Sequence, residues 1–462
     1  MAKFDLAVLG GGPGGYVAAI RGAQLGLKTC VIDQDKLGGI CLNWGCIPTK
    51  ALLKNAEVYH YIKNADTYGI NVGKVSVDFK KNIKRSRDVS NRLSKGIEFL
   101  IKKNKITHIQ GTGKLTSKTS LEVKNKQKTD TIEADKIILA TGARPKSFPG
   151  MEFDGNRVIS FKEAMILDSP PKKMIIIGSG AIGSEFAYYY NEFGTEVHLI
   201  EMMDRILPVE DSDVSKEVAK SFKKSEITIS TETKVSKIES LKTKVKVHIE
   251  KKGKKEILEG DVALLAVGVT GNIENIGLEE VGVQRNNGFV KVNLDSFQTS
   301  VPNIYAAGDI VEGTPQLAHV GFAEGIAAIT HIATGEKADI NYDAIPYVVY
   351  TSPELAEVGI NTENAKEKDI KISNAQHSFV GLGRAIIQDQ NNGVVRVFYE
   401  EDGPIVGASV CGPAAGEVIH ELMYMVGWEV LPKEAADFIH AHPTLSEAVG
   451  EALMSASGRG LH

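Results

Sequence analysis

Residues 1–462 read as an α/β chain with two doubly wound, Rossmann-like units and a C-terminal α+β segment. Three observations carry this reading. A program of strand, glycine turn, helix and strand occurs twice. Its first copy is 4–9, then Gly10-Gly11-Gly12-Pro13-Gly14-Gly15, a helical stretch to Leu27, and 29–33. Its second is 174–177, then Gly178-Ser179-Gly180-Ala181-Ile182-Gly183, a helical stretch to Phe193, and 196–201. The copies also share their spacing: each runs 18 residues from its last glycine to its closing acid, and they begin 168 residues apart. Beyond Tyr342 the character changes to prolines, β-branched runs and a histidine-rich tail, which marks a further domain.

Composition narrows the classes. At roughly 150 residues per domain the length implies about three domains. With 42% hydrophobic and 24% charged residues the chain has ordinary globular usage, unlike a disordered or membrane protein. A net charge of −4 offers no general attraction for nucleic acid or anionic lipid. Apolar runs such as 262–267 fall far short of the roughly 20 residues that cross a bilayer. The N-terminal residues lack the pattern of a secretion signal. Four cysteines are too few for a stapled scaffold, so a cytoplasmic setting is expected, or an organelle matrix after processing.

The glycines have a physical reason. Gly10 and Gly178 allow a tight turn, and Gly12 and Gly180 admit a pyrophosphate to the positive end of a helix. Gly15 and Gly183 let helix and strand pack closely. Asp33 and Glu201 stand where an acid binds a ribose diol and repels a 2′-phosphate, so the second site is expected to prefer NAD to NADP. Three more apolar strands, 137–142, 262–268 and 304–308, end in glycine, as strands facing a ligand do. The basic run 80–105 carries Val89, Leu93, Ile97 and Leu100 at helical spacing, which favours an amphipathic helix with a solvated charged face over a nucleic-acid patch. Lys251–Lys255 around Gly253 reads as a hairpin turn.

Just beyond Asp33 lies Gly38-Gly39-Ile40-Cys41-Leu42-Asn43-Trp44-Gly45-Cys46-Ile47-Pro48-Thr49-Lys50. The C-x4-C pair has no second pair to complete a zinc site, so no metal is expected. In a straight helix its members would rise about 7.5 Å, beyond disulfide reach, so a bond requires the distortion that Gly45 permits. A strained disulfide is easily reduced. Two buried, reduced cysteines are the alternative.

These segments, with Ala140-Thr141-Gly142, Tyr305-Ala306-Ala307-Gly308-Asp309 and His440-Ala441-His442-Pro443-Thr444-Leu445-Ser446-Glu447, resemble the flavin-dependent pyridine nucleotide-disulfide oxidoreductases over essentially the whole chain. Within them they are most similar to the members that oxidise dihydrolipoamide. The resemblance implies an FAD-binding domain of 1–147 and 271–340, interrupted by an NAD-binding domain of 148–270, then a dimerisation domain of 341–462 and a homodimer. It implies a redox-active Cys41/Cys46 disulfide, with Cys41 meeting substrate and Cys46 against the flavin. It implies FAD contacts at Gly113, Thr141, Gly142, Ala143, Asp309 and Gln316, Leu317, Ala318 and His319. NAD contacts are implied at Val235 and Gly268, and an ion pair between Lys50 and Glu185 by the flavin ring. Thiol exchange needs a base with a pKa near 7; His442 suits it, oriented by Glu447, and the resemblance implies that the two act on the other subunit's disulfide. The expected partner is a lipoyl-bearing acyltransferase of a 2-oxo acid dehydrogenase complex, or a glycine-cleavage carrier protein. Relatives commonly carry Arg and Pro within 269–272, and an acidic stretch within 320–325, where this chain departs. Glutathione or mercuric ion as substrate, or a non-catalytic NAD-binding redox sensor, are the competing readings.

Overall fold

The structure is a computed structural model and describes residues 2–462. The chain divides into two compact units. One comprises the residues through Leu52 with Lys80–Lys146 and Gly268–Ile340; the other comprises Leu53–Phe79, Ser147–Val267 and Asn341–His462. The segment read as the second nucleotide domain therefore shares a unit with the C-terminal segment and with 53–79.

The first unit is built on β1 (Ala2–Leu9), β2 (Thr29–Asp33), β3 (Thr107–Gln110), a hairpin of β4 (Thr112–Ser117) and β5 (Ser120–Lys124), and β6 (Thr129–Leu139). β1 lies between β2 and β6, parallel to both, with β3 outside β2 and the strand Ile304–Ala306 outside β6. Buried on both faces, these parallel strands are near-continuous apolar runs. Between them run α1 (Pro13–Gln24), α2 (Gly39–Trp44), α3 (Cys46–Lys63) and α4 (Phe79–Lys103). α1 stops three residues short of Leu27, where Gly26 turns left-handed at φ +89°. It packs so closely on the helix Ala318–Thr334 that a Cβ on Gly325 would stand 2.4 Å from the Gly14 carbonyl oxygen.

α4 is the amphipathic helix expected, but it presents another face. Its buried stripe is Ser86, Ser90, Ser94, Ile97 and Ile101, whereas Leu93 is 40% exposed. Hydrogen-bonding demand chooses the face: Ser94 Oγ donates to Asn43 Oδ1 at 3.0 Å, Arg87 to the Asn43 carbonyl at 2.7 Å, and Arg85 to the Ala51 carbonyl at 3.0 Å.

The second unit repeats the parallel plan, in the order Thr228–Ser230, Glu196–Ile200, Lys173–Ile177, Val262–Leu265, Val158–Ile159. A three-stranded antiparallel meander, Thr233–Ser240, Val245–Lys251 and Lys254–Gly260, turns at Lys252 and Gly253, both with positive φ. The C-terminal segment forms a five-stranded antiparallel sheet packed with the helices Ala415–Gly427 and Glu447–Ala456 around one core. Among the described residues no helix is long and apolar enough to cross a membrane.

A buried polar cluster ties the parts of this unit together. Arg396, from the C-terminal sheet, pairs with the fully buried Asp211 and lies 3.2 Å from Asp213. Beside it Glu357 accepts from the Asp211 N–H at 2.6 Å and from Asn361 Nδ2 at 3.0 Å, and shares a hydrogen bond with Glu210. Burial pushes Glu210 up to about 7 and holds Glu357 well above the ordinary carboxylate range. The folded state thus keeps a proton that the unfolded chain releases. Stability is complete below the ordinary carboxylate range and falls as pH rises toward about 7, by at most about 1.4 kcal/mol per pH unit for one group. Glu210→Gln keeps a hydrogen-bonding group without the titration. Denaturant unfolding from pH 5 to pH 8 is expected to show a flatter stability profile for this variant and a gain over the parent at pH 8.

Candidate active site

Both glycine turns obey the same geometry. Gly10 and Gly178 take φ +111° and +94°, and a Cβ on either would meet the end of a neighbouring strand, at 2.1 Å from the Ala140 oxygen or 2.4 Å from the Ala266 oxygen. On Gly15 and Gly183 it would lie 1.9 Å from the oxygens of Gly10 and Gly178, so helix and turn close on each other only without side chains. Gly180 faces open space, a Cβ on Gly12 would meet only Gly39 Cα at 3.7 Å, and each heads a helix whose first amides receive no side-chain cap. The two acids hold their own turns. Asp33 accepts from the Gly11 N–H at 2.5 Å and the Asp35 N–H at 2.8 Å; Glu201 accepts from the Ser179 N–H at 2.9 Å, its hydroxyl at 2.7 Å, and the Met203 N–H at 2.9 Å.

The cysteine segment starts on the first turn. The Gly38 N–H donates to the Gly11 oxygen at 2.7 Å, and a Cβ on Gly39 would stand 2.6 Å from Gly12 Cα. The helical path breaks at Gly45 (φ −144°, ψ −119°), between α2, which carries Cys41, and α3, which begins at Cys46. The two sulfurs share a hydrogen bond. That bond, then burial and the charge of Cys46, push the Cys41 thiol up, while Lys50, one turn along α3, opposes the shift and Asp309 adds to it. Tyr16 is pushed up to about 12 by burial and by Cys41. Asn43 pins the segment, donating to the carbonyls of Leu37 at 3.2 Å and Gly39 at 3.0 Å, while Thr49 Oγ1 caps the Gly45 carbonyl at 2.7 Å.

In the second unit, His442 Nδ1 lies 2.8 Å from Glu447 Oε1, and the other oxygen of that carboxylate accepts from the Thr444 N–H at 2.8 Å. Burial opposes ionisation of Glu447, but the Thr444 amide and the His442 ring outweigh it and hold the carboxyl below its ordinary range. The His442 ring is 78% exposed, with Nε2 left for a proton.

The remaining expected residues fall in distinct environments. Gly142 (φ +69°) and Gly268 (φ +100°) face open space; Thr141 Oγ1 donates to the Asn272 carbonyl at 2.8 Å, and Ala143 is buried in a strand pair with Gly271. Gln316 and Leu317 lead into the helix that begins with Ala318 and His319. Gly113 receives Leu9, whose Cδ1 would lie 2.5 Å from a Cβ there. Val235 sits at a bulge and packs on the core. Glu185 is buried and accepts from the Tyr350 N–H at 3.1 Å.

Sequence reasoning missed Glu324, which is fully buried and accepts from the Gly308 N–H at 2.7 Å, beside Asp309. An acid alone in an otherwise apolar helix was the signal available. Within 269–272, a side chain at Gly271 would stand 2.6 Å from the Gly288 oxygen.

A family model described as pyridine nucleotide-disulphide oxidoreductase matches residues 4–325. The chain belongs to this family. A second model, the dimerisation domain of the same oxidoreductases, matches 345–453 and supports pairing of two copies. A dihydrolipoyl dehydrogenase of Zymomonas mobilis is 41% identical over 99% of each chain, and one of Bacillus subtilis 39% identical over 100% of this chain and 99% of its own. A mitochondrial dihydrolipoyl dehydrogenase of Schizosaccharomyces pombe is 40% identical over 100% of this chain and 91% of its own. Among solved structures, LpdA of Mycobacterium tuberculosis superposes with a TM-score of 0.90 at 27% identity, covering 98% of this chain and 99% of that one. The HOCl-induced flavoprotein disulfide reductase RclA of Escherichia coli gives 0.87 at 25% identity, covering 98% and 100%.

The cofactors of this oxidoreductase are FAD and NAD, and the residues present fit both. Two helix ends without side-chain caps open onto glycine turns, and each turn is braced by a carboxylate with lone pairs to spare. Replacing Asn43 by Ala strips Ser94 of an acceptor and three carbonyls of a donor. Denaturant unfolding is expected to show a loss of about 2–4 kcal/mol.

Proposed function

We propose that this oxidoreductase is a dihydrolipoyl dehydrogenase. It would oxidise a dihydrolipoyl group carried by a 2-oxo acid dehydrogenase acyltransferase, or by a glycine-cleavage carrier protein, and reduce NAD. The observation that carries the reading is the Cys41/Cys46 pair, its sulfurs in contact across a broken helix that starts on the first glycine turn. The relatives' names support the substrate class.

In this reading the pair begins the reaction as a disulfide. His442 Nε2 takes the proton of one dihydrolipoyl thiol, and the resulting thiolate attacks Cys41 Sγ, releasing Cys46 as a thiolate. The second lipoyl thiolate then displaces Cys41, closing the lipoyl disulfide and leaving both cysteines reduced. Glu447 holds the His442 ring by Nδ1 and balances its positive charge once protonated. FAD, which Asp33, Gly142 and Asp309 beside the first glycine turn would hold, would supply the chemistry that carries the pair's two electrons to NAD as a hydride.

The first fingerprint, with Asp33, Gly142 and Asp309, is assigned to FAD within 1–147 and 271–340. The second, with Glu201, is assigned to NAD within 148–270. Residues 341–462 are assigned to the homodimer, in which His442 of one subunit serves the cysteine pair of the other. The thiol chemistry suits a reducing compartment, the cytosol or an organelle matrix.

Cys41→Ser and Cys46→Ser are each expected to abolish NADH formation from dihydrolipoamide while leaving NADH binding intact. His442→Gln is expected to lower kcat by roughly 10²- to 10⁴-fold. The discriminating measurement is steady-state turnover with dihydrolipoamide, set against NADH oxidation by glutathione disulfide. Faster turnover of the glutathione substrate, or binding of NADH without turnover of either, defeats the assignment.

A further inference from the structure

We propose that Glu421 is a positioning residue for the thiol chemistry, holding the loop that bears His442 at both of its ends. The inference rests on the reading of His442 as the base. Glu421 stands on the helix Ala415–Gly427 and uses both carboxylate oxygens: His440 Nε2 lies 3.3 Å from Oε2, and Ser446 Oγ donates to Oε1. Residues 440 and 446 bracket the loop, with His442 and Thr444 between them, and Ser446 immediately precedes Glu447, where the next helix begins.

The two histidines of the loop are thereby divided in role. The His440 side chain is 15% exposed and the His442 side chain 78%. A Cβ on Gly450 would stand 2.7 Å from His440 Nδ1, so that ring is wedged against the helix carrying Glu447. His440 is an anchor, and His442 meets solvent. Within the loop, Thr444 Oγ1 donates to the Ala441 carbonyl at 2.7 Å and its N–H donates to Glu447. These bonds fix the loop's shape. The Glu421 bonds fix that shape to the scaffold. Glu421 is itself held ionised against its burial by His440 and then Ser446, so its acceptors are charged and the two bonds are of the stronger kind. A small displacement of a proton-accepting nitrogen is enough to slow proton transfer greatly, which is why a carboxylate remote from the reacting atoms affects the rate.

The test is a double-mutant cycle in the full-length holoenzyme, with Glu421→Ala, His442→Gln and their combination. Dihydrolipoamide oxidation is expected to lose about 10- to 100-fold in kcat in Glu421→Ala, with little change in KM. The double variant is expected to be no slower than His442→Gln, since a loop without its base has nothing left to position. NADH oxidation by ferricyanide, which needs no lipoyl thiol, is expected to stay at the parent rate in Glu421→Ala. Glu421→Gln, which keeps the shape and one acceptor, is expected to recover part of kcat. It replaces the alanine variant in the cycle if that variant does not fold. Equal losses in both reactions would reduce Glu421 to a general structural role, and additive losses in the cycle would separate it from His442. Either result overturns the proposal. An unchanged rate in His442→Gln would overturn the underlying reading instead.

Discussion

The proposed thiol chemistry depends on two sulfurs five residues apart being in contact, and an uninterrupted helix would separate them along its axis by about 7.5 Å. The break at Gly45 removes that obstacle, and its surroundings are close: a Cβ there would stand 3.1 Å from the Ile40 oxygen and 3.3 Å from Cys41 Cα, so these neighbours would have to give by a few tenths of an ångström. A broken helix leaves main-chain groups exposed to each other, and the nearby polar side chains take them up. Thr49 caps the Gly45 carbonyl, Asn43 gathers carbonyls ahead of the break, and Arg87 holds the Asn43 carbonyl from α4.

Backbone proximity also organises the two nucleotide turns. In each, a glycine with positive φ tucks under the end of an adjacent strand, and a second glycine packs on the first across the helix start. The closing acid does not wait for a ribose. Asp33 and Glu201 already bind amides of their own turns, so the turn keeps its shape before any ligand arrives. The second turn is braced further by the Ser179 hydroxyl, for which Gly11 has no counterpart. Preorganisation of this kind lowers the cost of ordering the loop on binding.

The C-terminal loop follows the same logic with side chains. Glu447 satisfies the His442 ring with one oxygen and the Thr444 amide with the other, so the carboxylate that orients the ring also closes the turn around it. Glu421 performs the parallel task for the loop as a whole.

Much of this was legible in the linear chain because it is local. Strand periodicity, the glycine spacing, the acid 18 residues on, the cysteine segment and the pairing of His442 with Glu447 all lie within single supersecondary motifs, and residue chemistry alone specifies them. What remained hidden was decided by neighbours from distant segments. α4 turns a serine stripe inward where Ser94 meets the Asn43 side chain and Arg85 and Arg87 reach the Ala51 and Asn43 carbonyls, whereas apolar periodicity pointed to Leu93. Glu324 is buried where it accepts from the Gly308 amide, and Val235 packs, partly buried, against a core beside a bulge. The sequence by itself determined which chemical groups the site could hold. Tertiary structure decided which of them meet, since a buried polar atom settles wherever the folded chain supplies its partner.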